Sequence, residues 1–407
     1  MLGRVLNTHQ QWLCRQLADL GYVVSRQVAV PDTPEAIVAA VRESLTRADL
    51  VFTTGGLGPT SSDLTRDAIA GLLGKRLNED PAVLARITGY FSALQRPMPE
   101  RVRVQAMVPE GASVLPNQNG TAPGLAMELR PNPFRPDGSP GWLVMLPGPP
   151  RELRPLFTDS VAPLLRHALP LEDVFVCRTL RTTGIGESLA EHQIGRQLQA
   201  LVPHGLEPGY CARPGQVDVR LAARGPRAEE LVKEAEAIVR DRLGPFIYGV
   251  EEEELETTII RRLTELKQTL ALAESCTGGN IAHRLTNVPG ASVVLRAGVV
   301  AYSNEAKTRF LGVRPETLAK HGAVSEAVAW EMAEGARSAT GADYAISVTG
   351  IAGPDGGTPA KPVGTVFIGL AGPFETKVQP HRNPYDRETF KQVTAQQAMD
   401  LLRRSLA

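Results

Sequence analysis

The chain has 407 residues, 43% of them hydrophobic and 22% charged, and its 44 Lys and Arg balance its 44 Asp and Glu. That length accommodates two or three domains of ordinary globular composition, and the zero net charge gives no global attraction to nucleic acid or an anionic membrane. Cys14, Cys177, Cys211 and Cys276 lack metal-ligand spacing and speak against a zinc site or a disulfide framework. No apolar run is long enough to span a bilayer and the start lacks a signal-peptide pattern, so a cytoplasmic protein is expected.

Asn7-Thr8 reads as a helix cap, followed by a helix with Trp12, Leu13, Leu17 and Leu20 on one face that ends at Gly21. Tyr22-Val23-Val24 reads as a strand, Pro34 to Ala48 as a helix and Leu50-Val51-Phe52 as a strand. This alternation predicts an α/β domain over residues 1–168, a doubly wound parallel sheet covered on both faces. After the strand comes Thr53-Thr54-Gly55-Gly56-Leu57-Gly58-Pro59-Thr60-Ser61-Ser62-Asp63, where ligands of open parallel sheets bind. Gly55, Gly56, Gly58 and Thr60 would turn backbone N–H groups toward phosphate oxygens, and Asp63 would either hold a divalent cation or cap the next helix. Asn119-Gly120-Thr121-Ala122-Pro123-Gly124 is a second turn cluster, and Pro131 to Gly141 reads as a surface loop or hairpin. Leu143 to Leu146 is a strand whose end, Pro147-Gly148-Pro149-Pro150, starts a helix.

Residues 169–250 read as a small α+β unit. Strands are expected at Val174 to Thr182, Val217 to Leu221 and Phe246 to Tyr248, with helices near Leu189 to Leu198 and Glu229 to Leu243. No Gly-x-x-Gly loop with basic flanks is present, so RNA binding is not inferred and a positioning role is expected. Glu251 to Glu254 is read as a solvated acidic face or as charge favouring the next helix's amino end.

Residues 251–407 form the third region. A helix spans Leu255 to Lys267, and the apolar run Leu270 to Ala273 then enters Glu274-Ser275-Cys276-Thr277-Gly278-Gly279 before helical spacing at Ile281, Leu285 and Val288. A Ser on a strand-turn-helix bend next to glycines and free helix N–H groups meets the needs of acyl transfer; the competing reading is that Ser275 or Thr277 merely caps the helix. A strand from Val293 to Ala301 leads to Tyr302-Ser303-Asn304-Glu305-Ala306-Lys307, where Ser303 or Asn304 caps a helix and puts Lys307 in its first turn. Ser325 caps a helix to Thr340, and a strand from Asp343 to Val348 precedes Thr349-Gly350-Ile351-Ala352-Gly353-Pro354, whose N–H groups suit a phosphate. Val363 to Leu370 is a further strand, and Arg387 opens the last helix.

These motifs resemble those of the CinA family (competence/damage-inducible protein). Gly55 to Thr60, Asp63, Asn119 to Gly124 and Pro147 to Pro150 look like its amino-terminal domain, which is similar to molybdopterin-binding proteins. The resemblance implies nucleotide binding at Gly55, Gly56, Gly58, Thr60, Asn119 and Gly120, and ADP-ribose pyrophosphatase activity using a divalent metal at Asp63 and potassium. The middle region is similar to the family's KH-like module. Ala273 to Gly279, Ala301 to Lys307, His321 to Ser325 and Gly350 to Gly357 resemble the nicotinamide-nucleotide amidase domain. That likeness implies hydrolysis of nicotinamide mononucleotide to nicotinate mononucleotide and ammonia, without a cofactor. It places the catalytic roles on Ser275, Tyr302 and Lys307 and substrate contacts on Thr277, Gly278, Gly279, Thr349, Gly350, Gly353 and Arg387. The expected partners are nicotinamide mononucleotide, ADP-ribose and a second copy of the chain as a homodimer, whereas the balanced composition speaks against a membrane or nucleic acid. Three departures stand out: Ser62-Asp63 in place of two aspartates, Tyr385-Asp386-Arg387 with Lys391 in place of a Gly-Asp-Arg pattern with a further Arg, and no apolar strand with a Gly-Thr-Glu turn before Leu2-Gly3. The last leads to the expectation that the true start lies upstream.

In the amidase reading, Ser275 attacks the carboxamide carbon and Lys307, directly or through Tyr302, takes its proton. N–H groups near Thr277, Gly278 and Gly279 meet the oxyanion or the phosphate. A lysine acting as base near neutral pH needs its pKa depressed by about 4 kcal/mol, from burial or from a cation such as Arg296, Arg309 or Arg387. Cys276 is the rival nucleophile, although no His lies in the matched runs to activate it. Two other readings stand beside the enzyme: a regulatory protein in competence or recombination that senses nucleotides, and a molybdopterin-handling enzyme argued from fold analogy.

Overall fold

The structure is a computed structural model that describes residues 7–406. The segment at Leu2-Gly3, on which the expectation of an upstream start rests, lies outside the described residues. The chain divides into two compact units, Met1–Glu172 and Asp173–Ala407.

In the first unit the elements are α1 (Thr8–Asp19), α2 (Pro34–Leu45), β1 (Leu50–Thr54), α3 (Thr65–Leu72), β2 (Leu77–Glu79), α4 (Pro81–Ala93), β3 (Met107–Pro109), β4 (Ser113–Leu115), β5 (Gly124–Leu129), β6 (Gly141–Leu146), α5 (Pro150–Leu156) and α6 (Ala162–Ala168). Asn7 caps α1 by accepting from the Gln10 amide, as its position predicts, and Gly21 takes φ 87° just beyond the helix. The main sheet has the order β1-β6-β5-β4. β1 and β6 run parallel, whereas β5 and β4 are antiparallel, so the sheet is mixed, with antiparallel strands on one side. Alternation along these strands sends Leu125, Met127, Leu143 and Met145 to one face, against α2, α3 and α4. Ala126, Val144 and Leu146 go to the other, against α1, α5 and α6. Both faces are thus covered, as the helix–strand alternation requires.

Tyr22-Val23-Val24 is not a strand. Residues 22–30 have no regular structure, and Val23 is 84% exposed. A strand exists only as one side of a ladder, and among the described residues none runs beside this segment. The loop Pro131 to Pro140 is anchored rather than merely superficial: Asn132 Nδ2 donates to Leu45 O and the Arg135 guanidinium reaches Asp49.

In the second unit, β7 (Phe175–Thr183), α7 (Glu187–Leu201), β8 (Leu206–Arg213), β9 (Gln216–Arg224), α8 (Ala228–Leu243) and β10 (Ile247–Val250) make an antiparallel sheet of order β10-β7-β9-β8 under two helices. β8 escapes sequence reading because Glu207-Pro208-Gly209 breaks its alternation. There follow α9 (Leu255–Leu266), β11 (Leu270–Glu274), α10 (Asn280–Thr286), β12 (Leu295–Val300), α11 (Asn304–Leu311), α12 (Pro315–His321), α13 (Glu326–Thr340), β13 (Tyr344–Gly350), β14 (Thr365–Ala371), β15 (Thr376–Arg382) and α14 (Arg387–Ser405). Their sheet has the order β12-β11-β13-β14-β15, with β12, β11 and β13 parallel and the last two antiparallel. Every residue of β11 is buried, so helices cover both of its faces.

The acidic run Glu251 to Glu254 is part solvated and part paired: Glu251 and Glu252 are exposed, while Glu254 stands at the cap position of α9. Its side chains pair with arginines: Glu251 with Arg178, Glu253 with Arg261, and Glu254 with Arg181 at 2.7 Å. Arg181 is fully buried, and its other partners are Asp218 at 2.9 Å and the Tyr248 hydroxyl. α14 continues this join: Arg403 donates to the carbonyls of Pro245 and Ile247, and Gln216 donates to Gln396. The small antiparallel sheet and the five-stranded one are therefore clamped through a buried charge cluster. Arg181→Ala is expected to destabilise this unit by about 3 kcal/mol, at the low end for a broken buried pair because Arg213 still reaches Asp218. Urea denaturation checks this, and a loss under about 1 kcal/mol would show the cluster to be incidental.

Candidate active site

The carboxyl ends of the three parallel strands β12, β11 and β13 meet in one place. The Ser275 amide donates to Val348 O and the Ala301 amide to Glu274 O, which locks the three strand ends in register. Beyond β11 the chain turns through Ser275 to Gly279, with Gly278 at φ 62° and Gly279 at φ 92°, a conformation other L-residues adopt only under strain.

Neither Ser275 nor Thr277 caps α10. The residue at the cap position is Gly279, and the acceptor is the buried carboxylate of Glu274, which takes hydrogen bonds from the amides of Gly279 (3.0 Å), Ile281 (3.2 Å) and Ala282 (2.8 Å). The first amides of the helix are therefore occupied, contrary to the expectation that they are free for an oxyanion or a phosphate. The Gly278 amide is occupied too, by Ser275 O. Among the described residues the amides of Cys276 and Thr277 find no backbone acceptor and meet the Cys276 thiol, and sulfur is a weak acceptor. Glu274 went unnoticed in the sequence because a carboxylate five residues before its partner amide matches no capping pattern.

Lys307 is placed by α11, whose cap Ser303 accepts from the Ala306 amide. Its Nζ lies 3.0 Å from Ser275 Oγ, 2.9 Å from Ala301 O and 3.4 Å from Tyr302 O. Lys307 is 2% exposed and Ser275 7%. Burial lowers the lysine pKa; no arginine contributes, and the nearby Cys276 acts weakly in the opposite sense. Two backbone carbonyls and the Ser275 hydroxyl thus surround the amine, and its lowered pKa favours the neutral form more than in water.

The Tyr302 hydroxyl points toward Arg387 rather than toward Lys307. Its side chain is 61% exposed, and its hydroxyl accepts from Arg387 Nη2 at 2.7 Å; only its backbone carbonyl touches Lys307. Arg387, in the first turn of α14 behind the cap Asp386, also donates to Gly353 O at 2.8 Å. Thr349 is buried and donates to Ala323 O, while Gly350 packs so closely on β14 that a Cβ would overlap Val366. A Cβ on Gly278 would meet Lys391 Nζ at 3.6 Å, which brings a second cation of α14 to the serine turn. Cys276 is buried and its thiol is pushed up to about 12 by that burial, which leaves almost no thiolate near neutral pH. The His283 ring contacts Asn287, and among the described residues no hydrogen bond joins Cys276 to His283 or His321.

The first-unit residues form a separate locus. Gly55 and Gly56 take φ 88° and 71°, and a Cβ on Gly56 would overlap Thr65. The Gly55 amide donates to Leu146 O, and the Thr60 amide and hydroxyl donate to Asp63 Oδ2 at 2.9 and 2.5 Å. Asp63, packed against Gly58, thus braces its own loop rather than capping α3, which starts without a side-chain cap. It brings a single carboxylate, and among the described residues no three His, Cys, Asp or Glu converge as metal ligands. The loop does not fit a preformed divalent-cation site. The Asn119 amide donates to Asn117 Oδ1, and Asn117 Nδ2 ties Ala122 O to Glu152, whose carboxylate lies against Gly120. Among the described residues no helix is long and apolar enough to cross a membrane.

Three family models match the chain: a probable molybdopterin binding domain over residues 1–167, a damage-inducible protein CinA KH domain over 177–249 and a CinA C-terminal domain over 252–406. A CinA-like protein of Akkermansia muciniphila is 44% identical over 402 residues, covering 98% of this chain and 93% of the relative. A putative competence-damage inducible protein of Moorella thermoacetica is 42% identical over 411 residues, covering 100% of this chain and 96% of the relative. The crystal structure of the competence/damage inducible protein CihA from Agrobacterium tumefaciens shares 41% identity, covering 37% of this chain and 93% of that one with a TM-score of 0.36.

Because burial holds Lys307 below 10.5, the folded chain binds fewer protons than the unfolded chain between the two pKa values, and stability rises with pH across that window. Lys307→Met is expected to be more stable than its parent at neutral pH, with the difference in urea midpoint shrinking as pH approaches 10.5. A difference independent of pH would show that burial does not lower the lysine pKa. Glu274→Gln, which cannot accept three amides as a carboxylate does, is expected to lose about 2 kcal/mol in the same assay.

Proposed function

The chain belongs to the CinA family of competence/damage-inducible proteins, and from that premise we propose that its Ser275 site hydrolyses the carboxamide of nicotinamide mononucleotide to nicotinate mononucleotide and ammonia. The observation that carries this reading is a buried lysine amine 3.0 Å from a serine hydroxyl at the end of a parallel strand. In water neither group is reactive: the amine is protonated and the hydroxyl is a weak nucleophile. Here burial raises the share of the amine in its unprotonated form, and the Ser275 hydroxyl is the proton donor within its reach.

Ser275 Oγ attacks the carboxamide carbon as its proton passes to Lys307. The carbonyl oxygen becomes an oxyanion, a far better acceptor than the Cys276 thiol for the amides of Cys276 and Thr277. Collapse breaks the C–N bond, and the proton on Lys307 goes to the leaving nitrogen, which departs as ammonia. A water molecule, deprotonated by the same amine, then hydrolyses the acyl-serine ester. Lys391 beside Gly278, and Arg387 on the same helix, supply positive charge for the phosphomonoester. Arg387 also supports Tyr302, whose role becomes that of a wall rather than a relay.

For the first unit, family membership supports a pterin- or nucleotide-binding reading at Gly55 to Asp63. The ADP-ribose pyrophosphatase activity implied by the resemblance needs a divalent ion and potassium, and Asp63 as sole carboxylate does not by itself carry a metal-dependent step.

Purified full-length chain incubated with nicotinamide mononucleotide is expected to release ammonia and nicotinate mononucleotide in equal amounts. Ser275→Ala should lower that rate by about 10³-fold or more, and Lys307→Met by about 10²-fold or more, while both variants bind the nucleotide within a few-fold of the parent. Undiminished release by Ser275→Ala would remove the proposed nucleophile, and absence of release by the parent would remove the amidase reading.

A further inference from the structure

A single guanidinium joins the ends of two strands that are not neighbours. Arg387 Nη1 donates to Gly353 O, beyond β13, and its Nη2 donates to the Tyr302 hydroxyl, beyond β12. β11 lies between those strands, so the three groups together bridge two strand spacings, about 10 Å, past the end at which Ser275 stands. The phenol makes that span: its backbone carbonyl lies 3.4 Å from Lys307 Nζ, while its ring carries the hydroxyl out to the first turn of α14.

A tyrosine that passed a proton between Ser275 and Lys307 would hold its hydroxyl at one of them. Instead Lys307 Nζ reaches Ser275 Oγ directly at 3.0 Å, and the Tyr302 hydroxyl accepts at 2.7 Å from a guanidinium, a group that keeps its protons. What this contact changes is the arginine. Arg387 is exposed, and a long exposed side chain samples many rotamers that binding must freeze. Two acceptors on different strand ends fix its plane beforehand. They occupy two of its five N–H groups and leave three for a ligand. Both acceptors are neutral, so they leave its positive charge uncancelled, and the adjacent carboxylate, Asp386, is committed to the amides of Glu388 and Thr389. Lys391 follows four residues later on the same side of α14, beside Gly278.

We propose that Tyr302 is a positioning residue: its hydroxyl, with the Gly353 carbonyl, holds Arg387 in the orientation that receives the phosphate of the substrate, so the phenol acts on binding and not on proton transfer. The substrate in this inference rests on the amidase reading, whereas the coupling of Tyr302 to Arg387 rests on geometry alone. It accounts for a tyrosine that is 61% exposed at the site. A proton relay works where water is excluded, whereas a strut between two surface groups needs no such shelter.

The test is a double-mutant cycle on the full-length chain, with Tyr302→Phe, Arg387→Met and the two together. Steady-state ammonia release gives kcat and KM, and calorimetry on the same variants carrying Ser275→Ala gives the Kd of nicotinamide mononucleotide without turnover. Tyr302→Phe is expected to raise KM and Kd about fivefold and to leave kcat within about twofold of the parent. Arg387→Met should raise KM and Kd about tenfold or more, and adding Tyr302→Phe to it should change neither by more than about twofold, since no guanidinium is left to orient. A kcat lowered about tenfold or more by Tyr302→Phe would return the phenol to proton transfer and overturn the proposal. Parent-like Kd in Tyr302→Phe, or an equal loss of affinity with and without Arg387, would overturn it as well. If the parent binds the nucleotide but releases no ammonia, the amidase reading falls and the Kd cycle still decides the coupling; if it does not bind the nucleotide, both fall.

Discussion

The second unit is organised around a short contact between an amine and a hydroxyl that are both withdrawn from water. Lys307 and Ser275 come from different strand ends, and their meeting depends on the parallel register of β11 with β12 and β13. A parallel sheet puts all its carboxyl ends on one side, and the helices that follow them begin there. α11 begins with Ser303 and so carries Lys307 back across the end of β11. Burying the amine costs stability, since an ammonium would be better solvated outside. Structures commonly tolerate such a cost where chemistry requires a neutral base.

The turn that presents Ser275 is held from behind rather than from in front. The Glu274 carboxylate takes the amides that would otherwise make the helix terminus an anion site. That choice separates two jobs sequence reasoning had merged, namely making the bend rigid and recognising a negative ligand. Rigidity belongs to Glu274; positive charge comes instead from side chains of α14. The first unit shows the same economy at Asp63, whose carboxylate is spent on Thr60.

Much of this was legible in the chain. The strand-turn-helix at Ala273 to Gly279, the cap at Ser303 that sets Lys307, the cap at Ser325 and the start of the last helix at Arg387 all follow from local rules of periodicity and capping. What was not legible depended on partners distant in sequence. Tyr22 to Val24 has the composition of a strand but no described neighbour to pair with. β15 alternates weakly, carries Pro380 and lies at the sheet edge, where propensity says least. Of the acids Glu251 to Glu254 the first two are exposed as the sequence suggests, but the arginines from β7 and α9 that reach Glu251, Glu253 and Glu254 lie far away in the chain or on the next helix. Tyr302 fitted a proton relay by residue type, and only the position of Arg387 shows where its hydroxyl points.

The clamp formed by Arg181, Glu254, Asp218 and the arginines of α14 has a mechanical corollary. With the antiparallel sheet and the five-stranded sheet locked by a buried ion cluster and by carbonyl contacts at the far end of α14, the two do not offer a hinge. The backbone between β13 and β14 is less constrained, and its outer portion, residues 354–360, is exposed. Arg387 ties that segment to the foot of the terminal helix through Gly353 O, so a single guanidinium joins the loop after β13 to the last element of the chain.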